Sequence, residues 1–255
     1  ITSTISKRLF ISSTGESIDK TTPQSYLLSA FSLAKKQKTK NKEDVLNGEI
    51  DLSNNQVVRP VVGTFFQNLA GSMFKAEVIH HPRCKGGEVY ADLESDRFNA
   101  WMEVKATLEE RYFKVGFEQF KNYRGMMENP FPREYLWYIF FSHGVRDISK
   151  TYSNTEDLYK ALILNTIRAV VLDFSIVEKI ADGLEVMSEY EESGYIPFLR
   201  WRREINPAIE ADPRATLVDL GLDPGEYEIG KKRVPIEYNG IRSKTTLTLV
   251  VKKVQ

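Results

Sequence analysis

Apolar and polar residues recur with a period of three to four in some stretches of the chain and a period of two in others, and the switches between periods mark out its elements. Residues 23–33 carry Tyr26, Leu27, Ala30 and Phe31 on one helical face, with Thr22 placed to cap and Pro23 in the first turn. Residues 60–74 repeat that pattern, with Val61, Phe65, Leu69 and Phe74 facing inward and Gly71 as a weak point. Residues 76–80 read as a first core strand. Residues 86–123 then read as strand, tight turn, strand and helix. Asp92 lies on the first of these strands, Glu94, Ser95 and Asp96 form the turn, and Glu103-Val104-Lys105 closes the second strand. The helix is expected over 110–127, with Phe113, Phe117 and Phe120 on one stripe and Tyr112, Gly116, Gln119 and Tyr123 on another. Residues 135–141 (YLWYIFF) are almost wholly apolar, as befits a strand buried on both faces. A helix over 155–165, capped by Thr155, leads to a second buried strand over 167–174. Residues 176–190 fit either a helix or a broken strand. Residues 226–238 and 245–253 read as a terminal hairpin turning at Asn239 and Gly240.

Helices alternating with buried strands predict an α/β fold with a layered sheet. The organisation expected is an N-terminal arm and helix over 1–58, a core over 59–175, and a C-terminal extension over 176–255 serving DNA recognition or dimerisation.

Strand geometry gives the core a chemical focus. Side chains alternate between faces, so Trp101, Glu103 and Lys105 share one face and Met102, Val104 and Ala106 the other. The second face suits a core. The turn brings Asp92 back towards Glu103, so two carboxylates and one ammonium converge. Two oxygen ligands on a rigid scaffold, with room left for water and a phosphate, suit Mg²⁺. The ion would activate water and offset charge building on phosphorus, and the lysine would stabilise the same charge.

Asp92, ten intervening residues, Glu103 and Lys105, followed by Gln119-Phe120-Lys121-Asn122-Tyr123 on a helix, resemble the PD-(D/E)XK nuclease superfamily, and the Q-x-x-x-Y element is similar to that of its RecB-like branch. The segment Gly63-Thr64-Phe65-Phe66-Gln67 resembles the helix that opens the family core. Two positions depart from the pattern: Gln67 stands where many members have an acid, and Ala91 where the signature has Pro. The resemblance covers 59–175. It implies a restriction endonuclease-like core, a central mixed β-sheet flanked by helices, with N- and C-terminal additions. It also implies Asp92 and Glu103 as metal ligands for Mg²⁺, with Mn²⁺ as substitute, and Lys105, Gln119 and Tyr123 as the remaining catalytic residues. Gln67 is an accessory position. Gln119 and Tyr123, one helical turn apart, are expected to hold Lys105 or the substrate phosphate by hydrogen bonds.

Composition adds limits. The 35 basic and 35 acidic residues cancel, so no global charge advertises a nucleic-acid partner, although a local basic groove is compatible with zero net charge. Two basic patches stand out. Lys35, Lys36, Lys38 and Lys40 form either a solvated helix end or a phosphate contact. Arg200, Arg202 and Arg203, interleaved with Trp201, form either a solvated helix or a phosphate site with a stacking aromatic. His80 and His81 are adjacent, so on a strand they point apart and fit one ion poorly. The single cysteine, Cys84, excludes an internal disulfide and any multi-cysteine zinc site. No apolar run reaches membrane-spanning length and no signal-like segment opens the sequence, so a cytoplasmic protein without a membrane partner is expected.

The function expected is a Mg²⁺-dependent DNA endonuclease, foremost of the type II restriction kind and as a homodimer. A RecB-like repair or recombination nuclease is the alternative within that class. A non-catalytic nucleic-acid-binding protein keeping the fold is the alternative outside it; there Glu103 and Lys105 would form only a cross-strand surface pair.

Overall fold

The computed structural model describes residues 55–78, 91–108, 113–127, 133–152, 154–182, 195–197, 206–238 and 240–253. Residues 23–33, His80, His81 and Cys84 lie outside these. So do both basic patches, Lys35, Lys36, Lys38 and Lys40 as well as Arg200, Arg202 and Arg203.

Nine strands and seven α-helices make up the described residues. In chain order they are α1 (Asn55–Phe74), β1 (Glu77–Val78), β2 (Leu93–Ser95), β3 (Ala100–Leu108), β4 (Lys114–Gly116), α2 (Phe117–Met127), β5 (Tyr135–His143), α3 (Ile148–Thr151), α4 (Thr155–Leu164), β6 (Ile167–Asp173), α5 (Phe174–Asp182), β7 (Tyr195–Pro197), α6 (Asn206–Ala211), α7 (Pro213–Asp219), β8 (Tyr227–Tyr238) and β9 (Ile241–Lys252). Seven strands form one mixed sheet in the order β1-β2-β3-β5-β6-β9-β8, and β4 pairs with β7 in a small second sheet. Pairings β3–β5 and β6–β9 are parallel; the others are antiparallel. The fold is α/β, with a mixed sheet flanked by helices, as the alternation of elements predicts.

All nine residues of β5 are buried, because both faces of this central strand are covered. On one face Phe66 and Phe141 stack with ring centroids 4.9 Å apart, beneath α1 and α4. On the other, Tyr123 of α2 and Phe174 of α5 pack edge to face over Tyr138 and its neighbours. Wide aromatic contact on both faces gives the sheet a firm platform.

Several boundaries differ from the expectations. Helix α1 begins at Asn55, not Pro60. Pro60 sits inside it, where its missing N–H costs a single i→i−4 bond near the helix start. The β2–β3 turn is Asp96–Asn99, not Glu94 to Asp96. Leu93 and Ser95 are fully buried, and Ser95 Oγ donates to Phe74 O at 3.3 Å, so this polar-looking triplet is strand. Asn99 closes the turn in the left-handed region (φ 49°), which Asn tolerates. Strand β3 runs on to Leu108, so Glu103 and Lys105 are mid-strand rather than at its end. The helix expected over 110–127 is shorter: residues 114–116 pair with β7 as β4, and α2 starts at Phe117. The cap of α4 is Asn154, whose side chain accepts the Asp157 N–H, one residue before the predicted Thr155. Of residues 176–190, those up to 182 resolve the helix-or-strand ambiguity as helix α5, and 183–190 lie outside the described residues.

The terminal hairpin forms as predicted, and Gly240 adopts φ +76° at its turn, a conformation glycine accepts without steric cost. It is not a separate extension. Strand β9 pairs in parallel with β6, Arg168 opposite Thr246 and Leu172 opposite Val250, so the main sheet crosses the expected boundary between 175 and 176.

Candidate active site

Three elements meet at the chemical focus. The β2–β3 hairpin sets Leu93 opposite Met102, which leaves Asp92, the residue just before β2, beside Glu103 and Val104. Asp92 Oδ2 accepts the Val104 N–H at 2.8 Å, and Gln67 of α1 donates its amide to the Asp92 carbonyl at 3.2 Å. Asp92 is thus fixed at both backbone and side chain, and Gln67 braces that backbone rather than supplying an acid.

On β3 the alternation places Glu103 and Lys105 on the face beneath α2. Glu103 is only 2% exposed. Its Oε1 takes the Lys105 ammonium and its Oε2 the Tyr123 hydroxyl, the latter at 2.8 Å. Gln119 Oε1 accepts from the same Lys105 Nζ at 3.2 Å, while Gln119 Nε2 lies 3.5 Å from the Tyr123 oxygen. Glu103, Lys105, Gln119 and Tyr123 therefore form a closed ring of polar contacts around one buried carboxylate, with Asp92 beside it. Gln119 holds Lys105 as expected. Tyr123 instead donates to Glu103.

The electrostatics follow from burial and like charge. Burial, reinforced by the Glu103 charge, pushes the Asp92 carboxyl up to about 7, against smaller lowering effects of Lys105 and the Val104 N–H. Burial and then the neighbouring Glu103 raise the Tyr123 phenol far above its ordinary range, so it remains a donor. A carboxylate held partly protonated at neutral pH beside another carboxylate is a site a divalent cation would favour, displacing the proton. The two carboxylates fit such an ion, though no group of three His, Cys, Asp or Glu side chains gathers anywhere among the described residues.

One neighbour was not legible as a site residue. Tyr138 of β5 stands directly opposite Glu103 on the same face and is fully buried. Its ring meets Tyr123 edge-on at 6.2 Å. Its hydroxyl has no hydrogen-bond partner among the described residues, and burial followed by the charges of Glu103 and Asp92 raises its pKa well above the usual value. In sequence it is one aromatic among seven apolar residues. Only the strand register reveals that it faces the acids.

No family model, curated protein or solved structure matches this chain. Among the described residues no helix is long and apolar enough to cross a membrane.

Proposed function

We propose that the chain is a Mg²⁺-dependent deoxyribonuclease with a PD-(D/E)XK-type core. The observation that carries this is the closed contact ring of Glu103, Lys105, Gln119 and Tyr123, with Asp92 fixed beside it. These five are the residues that the resemblance to the superfamily implies, and three separate stretches of the chain bring them together. A structural ion pair would not require the second carboxylate, the amide and the phenol at one point.

In this reading Asp92 and Glu103 hold the cation, which when bound would activate water and neutralise charge on the scissile phosphate. Lys105, released from Glu103, reaches a phosphate oxygen and stabilises the charge that develops there. Gln119 keeps the ammonium aimed, Tyr123 fixes the rotamer of Glu103, and the Val104 N–H does the same for Asp92. Manganese would substitute for magnesium, since both prefer carboxylate oxygen. Double-stranded DNA is the proposed substrate, with restriction-type cleavage by a homodimer foremost and a repair or recombination role second.

Two observations favour the non-catalytic alternative: Lys105 already neutralises Glu103, and no group of three His, Cys, Asp or Glu side chains gathers among the described residues. Supercoiled plasmid incubated with the full chain separates the readings. Discrete fragments in Mg²⁺, lost in EDTA, indicate a restriction-type enzyme. A smear indicates the repair-like reading. Intact plasmid under both Mg²⁺ and Mn²⁺ would reject catalysis.

A further inference from the structure

Across the main sheet, on the face that carries Glu103 and Lys105, the strand registers line up rows of side chains. One row runs Lys105, Phe140, Val170, Thr248 and Lys231. Its middle members Phe140, Val170 and Thr248 are buried. The next row, two residues further along each strand, runs Thr107, Ser142, Arg168, Thr246 and Arg233. Here the cover thins: Ser142 is still buried, but Arg168 and Arg233 are exposed and Thr107 and Thr246 half-buried. One step further, Lys244 is exposed opposite Pro235. Three cations, Arg168, Arg233 and Lys244, thus gather on three adjacent strands at one rim of the sheet. Glu210 lies 3.6 Å from Arg168, and Glu237, paired with Arg242, occupies the row beyond Lys244.

We infer that this rim is a phosphate-backbone track on which duplex DNA lies as it enters the Glu103–Lys105 site. The inference rests on the nuclease reading and adds a binding surface to it. Neighbouring strands are about 4.8 Å apart, so the row from Lys105's strand to Arg233's spans roughly 19 Å over four steps. At 3.4 Å per base pair that corresponds to about five or six base pairs of one DNA strand. The sheet twist, about 20–25° per strand, winds the row, so a backbone following it is carried round from β8 towards β3. Guanidinium forks match phosphate oxygens in pairs, and threonine hydroxyls at Thr107 and Thr246 add neutral donors of the kind that position a backbone. Edge strands often carry charge simply to prevent strand addition, which would account for Arg233 on β8. It does not account for Arg168 on β6, which is paired on both sides, with Ser142 of β5 and Thr246 of β9; Lys244 lies two residues beyond the β6–β9 pairing, on the part of β9 held by β8.

The test uses the full chain and a fluorescent duplex of about twenty base pairs, with binding followed by anisotropy in EDTA between about 50 and 200 mM KCl. The triple variant Arg168→Gln, Arg233→Gln, Lys244→Gln is expected to bind at least tenfold more weakly than wild type at the lower salt. The log–log salt slope should fall by about 2.7, or ~0.9 per lost contact. Lys160→Gln, on the opposite face, should change neither. If the triple variant does not fold, Arg233→Gln and Lys244→Gln singly should each lower the slope by ~0.9. Wild-type binding with an unaltered affinity and slope in the folded variants overturns the track and leaves the nuclease reading standing. No binding by wild type overturns both.

Discussion

Replacing Tyr123 by Phe deletes one hydroxyl and keeps the ring, which is fully buried between Tyr138 and Phe174. The hydroxyl donates at 2.8 Å to Glu103 Oε2, and Glu103 is only 2% exposed, so water does not replace the lost donor. A hydrogen bond to a charged, buried acceptor contributes roughly 1.5–3 kcal/mol. At about 2–4 °C per kcal/mol for a chain of this size, the melting temperature should drop by about 3–12 °C. The same change frees the rotamer of a proposed metal ligand, and lost supporting groups typically weaken metal binding 10–100-fold. Tyr123→Phe should therefore raise the Mg²⁺ concentration for half-maximal plasmid cleavage about tenfold. Among the described residues the Gln119 side chain hydrogen-bonds Lys105 and the Tyr123 oxygen, so Gln119→Ala should lower turnover with little change in the metal requirement. Thermal unfolding in EDTA reads the first effect and a Mg²⁺ titration the second. Unchanged melting together with an unchanged metal requirement in Tyr123→Phe would refute the assigned role.

Because burial and Glu103 lift Asp92 to about 7, Mg²⁺ binding near pH 6 should release close to one proton, and near none at pH 8 or above; calorimetry in buffers of different ionisation enthalpy measures this, and release persisting in Asp92→Asn would contradict it. His143, stacked on Phe66 and buried, is lowered to about 4, so the folded state takes up a proton later than the unfolded chain. That contribution is complete above pH 6.5 and is lost as pH falls towards 4, by about 3 kcal/mol. Asp92 acts with opposite sign in the same window when no metal is bound, so urea unfolding of His143→Leu against wild type isolates the histidine; equal acid sensitivity in the two would exclude it as the cause. Tyr138→Phe removes a buried hydroxyl without a described partner and should leave stability unchanged or raise it by about 1 kcal/mol; a loss of that size by thermal unfolding would reveal a bond that is made.

The readable parts of the fold are those where a strong period coincides with burial. The apolar run at 135–141 could only be a central strand, and the alternation through Trp101 to Ala106 fixes which face Glu103 and Lys105 occupy. The site was legible because its members lie close in sequence and each spacing maps onto a strand or a helical turn. What escaped depends on contacts distant in sequence. Residues 114–116 became strand because β7, some eighty residues later, pairs with them. Ser95 looked like a turn residue until Phe74 O accepted its hydroxyl. The hairpin at 227–252 read correctly as a hairpin, but nothing local says that β9 joins β6. Tyr138 and the Arg168–Arg233 row were invisible for the same reason: cross-strand register assembles them.

Glu103 accepts from both Lys105 and Tyr123 and lies beside Asp92, so Glu103→Gln is the sharpest probe. Gln keeps the size and one carbonyl acceptor, while removing the charge that would hold the cation and pair with Lys105. Wild type and variant, matched by circular dichroism and melting behaviour, are incubated with supercoiled plasmid in Mg²⁺ and in EDTA. Wild type should cleave only with Mg²⁺, and Glu103→Gln should be slower by at least about 10²-fold, the usual cost of one electrostatic stabiliser. Cleavage by wild type in EDTA, or by Glu103→Gln at the wild-type rate with the same metal requirement, would contradict it.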